Sequence, residues 1–393
     1  MVKLKEALRH YDYLLVLATL AVGIFGVAMV FASIHAESIP AFIQNRHPGL
    51  WGRQRTYIIT GFFLMIAFSA IDYRIITRFY LYIYGIMMAL LVAAMIIGAD
   101  DYTQTARWLW LTVPGIGRLS MQPSEFAKLF MILFLAKFID VHKDKFNHVA
   151  FLGLIFVLIV VPVFLVYRQP SFSASMVILS ISLTILFVGG LYYRTILVGL
   201  AIIAPVAGVI WFDLQRADPI ILPHFLYDWQ ILRIKGVIRP ETLDPDVIRQ
   251  TQGSLMAIGN GGLTGRGFMN NSYVIHGHND FIFSVVAEQF GFVGAALLLA
   301  VMAFIIVRCI LIALRAQDMQ GRLIAAGVAG MLIFETFFHV GVATNLLPNT
   351  GVPFPFVSFG GSMIWVHMIA IGIVLNVGLP RAKSMFDDEE EEL

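Results

Sequence analysis

An all-α polytopic membrane protein of ten spans is the fold that this chain predicts, and three observations carry the expectation. Hydrophobic residues make up 59% of the 393 and charged ones only 13%, with a mean hydropathy of +0.82. A soluble domain carries about 25% charged residues, so lipid rather than water solvates most of this surface. Apolar windows recur along nearly the whole chain, most of them near the ~20 residues that cross a bilayer. Lysine and arginine are also divided unevenly between successive connections, as the positive-inside rule expects.

Taken in order, the first window, 13–33, follows Lys3, Lys5 and Arg9 and could pass for a secretory signal. Its length and the windows behind it favour a retained helix. The others fall at 57–71, 79–98, 125–139, 149–166, 172–189, 195–212, 280–309, 323–345 and 361–377. The second and fourth are short, which neighbouring helices can tolerate by burying them. With the N-terminus inside, fourteen basic residues fall on cytoplasmic segments, from Lys3 through Arg74, Lys143, Arg194 and Arg315 to Lys383. The short outer loops hold six: Arg46, Arg53, Arg55, Arg107, Arg118 and Arg168. Both termini are therefore expected in the cytoplasm, with a large extracytoplasmic loop, 213–279, between helices seven and eight.

That orientation places the polar, aromatic and glycine-rich segments 100–124, 168–170, 213–279 and 347–362 on the outer face. No ATP is available there, and no G-x-x-x-x-G-K-[ST] pattern occurs, so an energy source must arrive with the substrate. A net charge of +2 without a long basic block gives no reason to expect nucleic acid. One cysteine, Cys309, excludes an internal disulfide and a multi-cysteine metal site. The run Asp387 to Glu392 within the acidic tail 381–393 reads as a solvated end.

Several polar groups need explanation in so apolar a chain. Met121-Gln122-Pro123-Ser124-Glu125-Phe126-Ala127-Lys128 marks a helix start, with Ser124 as the expected cap and Glu125 at the positive end of the dipole. Glu125 and Lys128 can pair at i, i+3. Either this is a structural ion pair, or Lys128 or Arg107 is an anion contact for a pyrophosphate while Trp108 forms an interfacial platform. The run from Gly259 to Gly267 lacks a preceding strand and G-x-G-x-x-G spacing, which excludes a dinucleotide fingerprint. Its glycines serve a tight turn or close approach to a ligand. The stretch 252–258 before it is amphipathic and suits the interface.

Asp280 is expected at the mouth of the eighth helix, capped by Asn279, with Ser284 and Glu288 on the same side. The helix dipole lowers the pKa of an acid there and partial burial raises it. A carboxylate under both influences suits a general base for a sugar hydroxyl. Glu288, about 12 Å deeper and roughly 80° around, should face the bundle interior and pair with a basic or polar neighbour. Glu335 and His339 share a stripe of the ninth helix and are expected to satisfy other helices. His276 and His278 lack carboxylate or cysteine companions for a metal. Pro348, Pro353 and Pro355 make the last outer loop rigid, and Ser362 could cap the tenth helix.

Together and in this order, Arg107-Trp108, Gln122-Pro123-Ser124-Glu125 with Lys128, and Gly261-Gly262 with Gly265 and Gly267 resemble the SEDS family (shape, elongation, division and sporulation). Asn279-Asp280-Phe281-Ile282-Phe283 and the run from Pro355 through Ser358 to Ser362 complete the resemblance. It covers nearly the whole chain as one integral membrane domain, 1–393, and is nearest to the elongation branch. It implies a peptidoglycan glycosyltransferase of the bacterial cytoplasmic membrane that polymerises lipid II on the outer face. Asp280 is then the family's essential acidic residue, expected to act as general base on the acceptor 4-hydroxyl. Arg107, Trp108, Gln122, Lys128, Gly261, Gly262, Ser358 and Ser362 are implied as substrate contacts, with Glu125, Ser284 and Glu288 in support. A divalent cation (Mg or Mn) is implied as cofactor. Lipid II, an undecaprenyl-pyrophosphate-linked glycan, a class B penicillin-binding protein and elongation-complex membrane proteins are implied as partners. Asn279 and Phe359 replace the family's common threonine and tyrosine. The competing expectations are a lipid II flippase or other transporter, a division or sporulation paralogue with the same chemistry, and a scaffold that only recruits a transpeptidase. A transporter would favour discontinuous helices and ionisable groups at the midplane, and a scaffold leaves Asp280 unexplained.

Overall fold

The computed structural model describes residues 11–37, 39, 41, 44, 49–98, 108–113, 117–169, 171–216, 220, 226 and 228–380. Arg107 and the acidic tail lie outside them. A helix occupies each of the ten apolar windows: α1 (Tyr13–His35), α2 (Leu50–Ala70), α4 (Tyr80–Ile97), α5 (Pro123–Val141), α6 (Val149–Arg168), α7 (Phe172–Val188), α8 (Tyr193–Leu214), α11 (Ile282–Arg315), α12 (Met319–Ala343) and α13 (Gly361–Val377). Five of them, α1, α4, α6, α11 and α12, are long and apolar enough to cross a membrane by themselves. The chain is a multi-pass membrane protein. Its second and fourth helices are longer than the apolar windows because polar residues such as Arg53, Gln54, Arg55 and Ser124 continue the helical backbone beyond the hydrocarbon-like run.

A short helix, α3 (Tyr73–Thr77), joins α2 to α4, and two further helices, α9 (Asp228–Ile238) and α10 (Pro245–Gly261), lie in the segment between α8 and α11. The expectation of an entirely helical chain needs one correction. Strands β1 (Leu109–Val113) and β2 (Gly117–Met121) form an antiparallel hairpin, in register from Leu109 opposite Met121 to Val113 opposite Gly117. Leu-Trp-Leu-Thr-Val is β-prone, and pairing satisfies backbone groups that an open loop would leave bare.

Burial identifies the centre of the bundle. In α12, 67% of the apolar window is buried, against 17% in α4 and 22% in α6, so α12 is a core helix and the other two face lipid. Helix α12 packs on α11, α7 and α5, while α13 packs closely along α2. At one end of the bundle Asp318 caps α12, accepting from Gly321 N at 2.6 Å and from the Tyr73 hydroxyl at 2.8 Å. Arg74 adds an ion pair at 2.7 Å. Burial alone would raise the Asp318 carboxyl, but the hydrogen bonds from Gly321, Tyr73 and Arg74, with the Arg74 charge, outweigh it and hold the pKa below its ordinary value.

Candidate active site

The opposite end of the bundle encloses a cavity of about 700 Å³. Its wall combines the first turns of α5, α7 and α13, the last turns of α12, and the approach to α11; residues of α9 and the 347–353 loop complete it. Trp108, Gln122, Glu125, Lys128, Asp280 and Ser362, which are far apart in sequence, all line this one space.

At the start of α5, Gln122 occupies the N-cap and Pro123 the first helical position, with no side-chain capping bond. Ser124 therefore is not the cap; a proline fits N1 because its missing N–H would be unpaired there anyway. Gln122 N donates instead to Ser362 Oγ at 3.1 Å, across to α13. This changes the expectation for Ser362 as well, since Gly360 holds the N-cap position of α13. The Lys128 ammonium bonds Glu125 at 2.8 Å and Glu335 of α12 at 2.6 Å. Glu335 also meets His367 of α13 at 2.5 Å.

Asp280 is half-buried in a series of turns just before α11, whose N-cap is Phe281. The expected position in the helix's first turn, with Asn279 capping, is thus displaced by two residues. The turns are fixed locally, with Asn279 N and Phe281 N both donating to the His276 carbonyl, at 3.0 and 3.3 Å. Phe281, fully buried, anchors the point where the chain enters the bundle. Gly351 lies against the Asp280 carboxylate: a Cβ added there would sit 3.5 Å from Oδ2.

The proline-rich loop is held onto this turn. Ser358 Oγ donates to the Asn279 carbonyl at 2.7 Å and accepts from Phe354 N at 2.8 Å. Phe359 N donates to the His278 carbonyl at 2.9 Å. Buried Gln54 of α2 donates to the Ser358 carbonyl at 3.0 Å. His339 receives Phe283 N on Nε2 at 3.3 Å and donates from Nδ1 to the Val352 carbonyl at 2.8 Å. It therefore joins three segments, while Glu335, one turn away, turns to Lys128. Phe356, fully buried with φ 64°, is a bulky residue in the left-handed region; such strain persists only where surrounding contacts over-determine it.

Five residues expected at the site do not line the cavity. Ser358 supports it from behind, as above. Glu288 is fully buried, bonded to Arg266 at 3.1 Å and to Ser272 through both N (2.9 Å) and Oγ (2.7 Å). Ser284 shares a 2.5 Å hydrogen bond with Ser254 of α10, which also donates to the Ala343 carbonyl at 2.6 Å. Gly261 and Gly262 lie where the glycine-rich loop docks on α11. A Cβ at Gly261 would collide with the Ala287 carbonyl, and one at Gly265 with that of Gln289. Backbone bonds complete the dock: Gly267 N to Gln289 O at 3.0 Å and Phe292 N to Gly262 O at 2.9 Å. Helix α11 is itself interrupted at Gly291, φ 65° and ψ −166°, and the loop backbone fills the break.

The cavity also contains residues that no motif in the sequence marked. Arg233 of α9 reaches it while donating to the Asn349 carbonyl at 2.9 Å, and Gln230 and Asn349 line it as well. The Thr350 hydroxyl there is shielded and has no partner among the described residues. Amphipathic spacing in α9 could have hinted at Gln230 and Arg233; nothing marked Thr350. Among the described residues no three His, Cys, Asp or Glu side chains gather as a metal-ligand set.

Comparison with known proteins gives a consistent result. The FTSW_RODA_SPOVE model, described as a cell cycle protein, matches residues 12–382. The Escherichia coli (strain K12) peptidoglycan glycosyltransferase MrdB is 32% identical over 375 residues, covering 94% of this chain and 93% of that protein. A probable peptidoglycan glycosyltransferase FtsW from Geobacter sulfurreducens is 30% identical over 380 residues, with 95% and 96% covered. Among solved structures, a chain from a peptidoglycan synthase complex that coordinates polymerization and crosslinking aligns with a TM-score of 0.75 at 27% identity, covering 94% of this chain and 97% of its own. The rod shape determining protein RodA of Thermus thermophilus aligns at 0.64 and 26%, with 94% and 96% covered.

Proposed function

We propose, because the chain belongs to the FtsW/RodA/SpoVE family, that it is a peptidoglycan glycosyltransferase polymerising lipid II at the outer face of the bacterial cytoplasmic membrane. The observation that carries this reading is the convergence of Asp280, Trp108, Gln122, Glu125, Lys128 and Ser362 on one cavity. All ten apolar helices cross the bilayer in this reading, both termini are cytoplasmic, and the segment 213–279 is extracytoplasmic. The basic-residue asymmetry supports that orientation.

Asp280 is the general base. It takes the proton from the acceptor's 4-hydroxyl as that oxygen bonds to the anomeric carbon of the lipid-linked strand. The bond from that carbon to the diphosphate breaks, and undecaprenyl pyrophosphate leaves with the electron pair. The leaving group supplies the driving force, consistent with the lack of a nucleotide motif. Trp108 offers a flat apolar face to a sugar or lipid, and Gln122, Ser362 and Thr350 offer hydrogen bonds. Arg107 adds an anion contact in this scheme, and Ser358 holds the Asp280 turn in place. Of the two carboxylates lining the cavity, Glu125 is held by Lys128 and Asp280 serves as the base, so a divalent cation would be held mainly by the substrate's phosphates and water, as Mg²⁺ usually is. It would neutralise charge on the departing diphosphate.

A class B penicillin-binding protein is the partner that would crosslink the product, alongside other elongation-complex membrane proteins. The resemblance to a chain of a peptidoglycan synthase complex supports this. The elongation role rests on the motif resemblance, with MrdB and RodA among the relatives; the identity to FtsW proteins is nearly as high. Two features would suit a transporter, the break at Gly291 and the buried ionisable groups Lys128, Glu335 and His367. The Leu263 and Gly265 backbone occupies the break, and neither they nor Gly291 line the cavity, while the buried groups are paired with one another. Purified protein in liposomes given fluorescent lipid II is expected to produce glycan polymer, and Asp280→Ala to abolish it at an unchanged melting temperature. Polymer from that variant at the parental rate would remove Asp280 from the chemistry.

A further inference from the structure

Glu125, Lys128, Glu335 and His367 meet between α5, α12 and α13, and only the first two line the cavity. None is more than 5% exposed. Two carboxylates on one ammonium leave a net charge of −1, and a buried charge without compensation is strongly disfavoured. The hydrogen bonds of His367 locate the missing proton. Its Nδ1 lies 2.6 Å from the Met363 carbonyl oxygen, which can only accept, so Nδ1 carries a hydrogen. Its Nε2 faces the second oxygen of Glu335 at 2.5 Å. Either the imidazole is doubly protonated, or Glu335 carries the proton and donates it. In both arrangements the pair holds one proton and no net charge, which makes the four-residue cluster neutral.

The surroundings leave the cluster self-contained among the described residues. Helix α5 contributes Glu125 and Lys128, α12 contributes Glu335, and α13 contributes His367. His339, one turn from Glu335, is committed to Phe283 N and Val352 O. The Phe356 ring meets His367 edge-on at 5.4 Å between centroids.

We propose that Glu335 and His367 are positioning residues for a diphosphate-bearing substrate. Their shared proton cancels the second carboxylate on Lys128, so the cavity meets a neutral Glu125–Lys128 pair whose ammonium can turn toward an incoming anion. Without that proton the four-residue cluster behind the wall carries one net negative charge and repels the diphosphate. The inference rests on the polymerase reading above and extends it to two residues that do not line the cavity.

The test measures KM and kcat for lipid II in liposomes, together with Kd for undecaprenyl diphosphate. His367→Gln leaves Glu335 without the imidazole that shares its proton, so that its ionisation beside Lys128 strands a negative charge. KM and Kd are expected to rise at least about tenfold, with a smaller change in kcat. Glu335→Gln/His367→Gln restores neutrality and is expected to recover most of that loss. A packing role makes the opposite forecast, because two lesions in one buried cluster should be at least as harmful as one. A double variant no better than His367→Gln would overturn the proposal. In the parent, KM should rise as pH is raised and the shared proton leaves, a dependence absent from the double variant. If His367→Gln does not fold, charge balance requires the double variant to fold with the parental melting temperature; failure of both overturns the idea. A parent that binds undecaprenyl diphosphate but makes no polymer would sink the polymerase reading, while the order of Kd values still decides the charge argument. A parent that does not bind it rejects the proposal.

Discussion

Asp280 and Glu288 belong to one stretch of chain, yet their surroundings are opposite. Glu288 is fully enclosed and its oxygens are taken by Arg266 and by the Ser272 N–H and hydroxyl. Asp280 is half-buried in a turn and faces a cavity large enough for part of a lipid-linked sugar. A carboxylate near hydrocarbon needs compensation in either place. At Glu288 the protein supplies all of it, which fastens the glycine-rich loop to α11. Asp280 instead borders the cavity. The difference separates an acid enclosed by the fold from one that, in the proposed reading, carries the chemistry.

The largest effect that would sharpen this contrast is on turnover. Asp280→Asn should lower polymerisation by at least about 10²-fold, the lower range for a general base, with no change in melting temperature. A loss of only a few-fold would put the two acids on the same footing. At the anchor the expected losses are in stability. Gly265→Ala adds a methyl against the Gln289 carbonyl at φ +82°, a strained conformation for alanine. Thermal unfolding in detergent should show a cost of about 1–3 kcal/mol. Glu288→Gln keeps the shape and removes the charge that Arg266 and Ser272 hold. Arg266 is partly solvated, so about 1–2 kcal/mol is expected. Turnover per folded molecule should persist; unchanged stability with lost turnover would move Glu288 into the reaction.

The smallest effect lies at the far end of the bundle. Asp318 has a folded pKa below its ordinary 3.8, so its contribution is complete above that value. It is lost as pH falls through the folded pKa, because protonation breaks the Arg74 pair. Melting curves should show a difference between parent and Asp318→Asn of up to about 1 kcal/mol near neutral pH, vanishing in acid. A difference independent of pH would mean that the capping geometry, rather than charge, is what Asp318 supplies.

Some of the site was legible along the chain. Glu125 and Lys128 are spaced for pairing on a helix, and the structure pairs them at 2.8 Å. Lys128 to Glu335 could not be read, since the partners are 207 residues apart and only the packing of α5 against α12 brings them together. Caps were misplaced for a related reason. Ser124, Asn279 and Ser362 are good capping residues by type, but Pro123, the turn at Phe281 and the Gln122–Ser362 contact settled where each helix begins. The hairpin at Leu109–Met121 resembled a plain apolar stretch, because β-pairing depends on a partner strand as much as on local preference.

By itself the sequence determined where the helices lie, since apolar stretches of membrane length must close their backbone hydrogen bonds internally and only a helix does so within one segment. It also determined the residue types available for chemistry and, through basic residues, the expected direction of each crossing. Tertiary structure alone decided which of those side chains share a cavity, which are consumed as anchors and which balance one another's charge. Those outcomes depend on distances between elements, and charge and hydrogen bonding act over only a few ångströms, so no reading along a single chain could fix them.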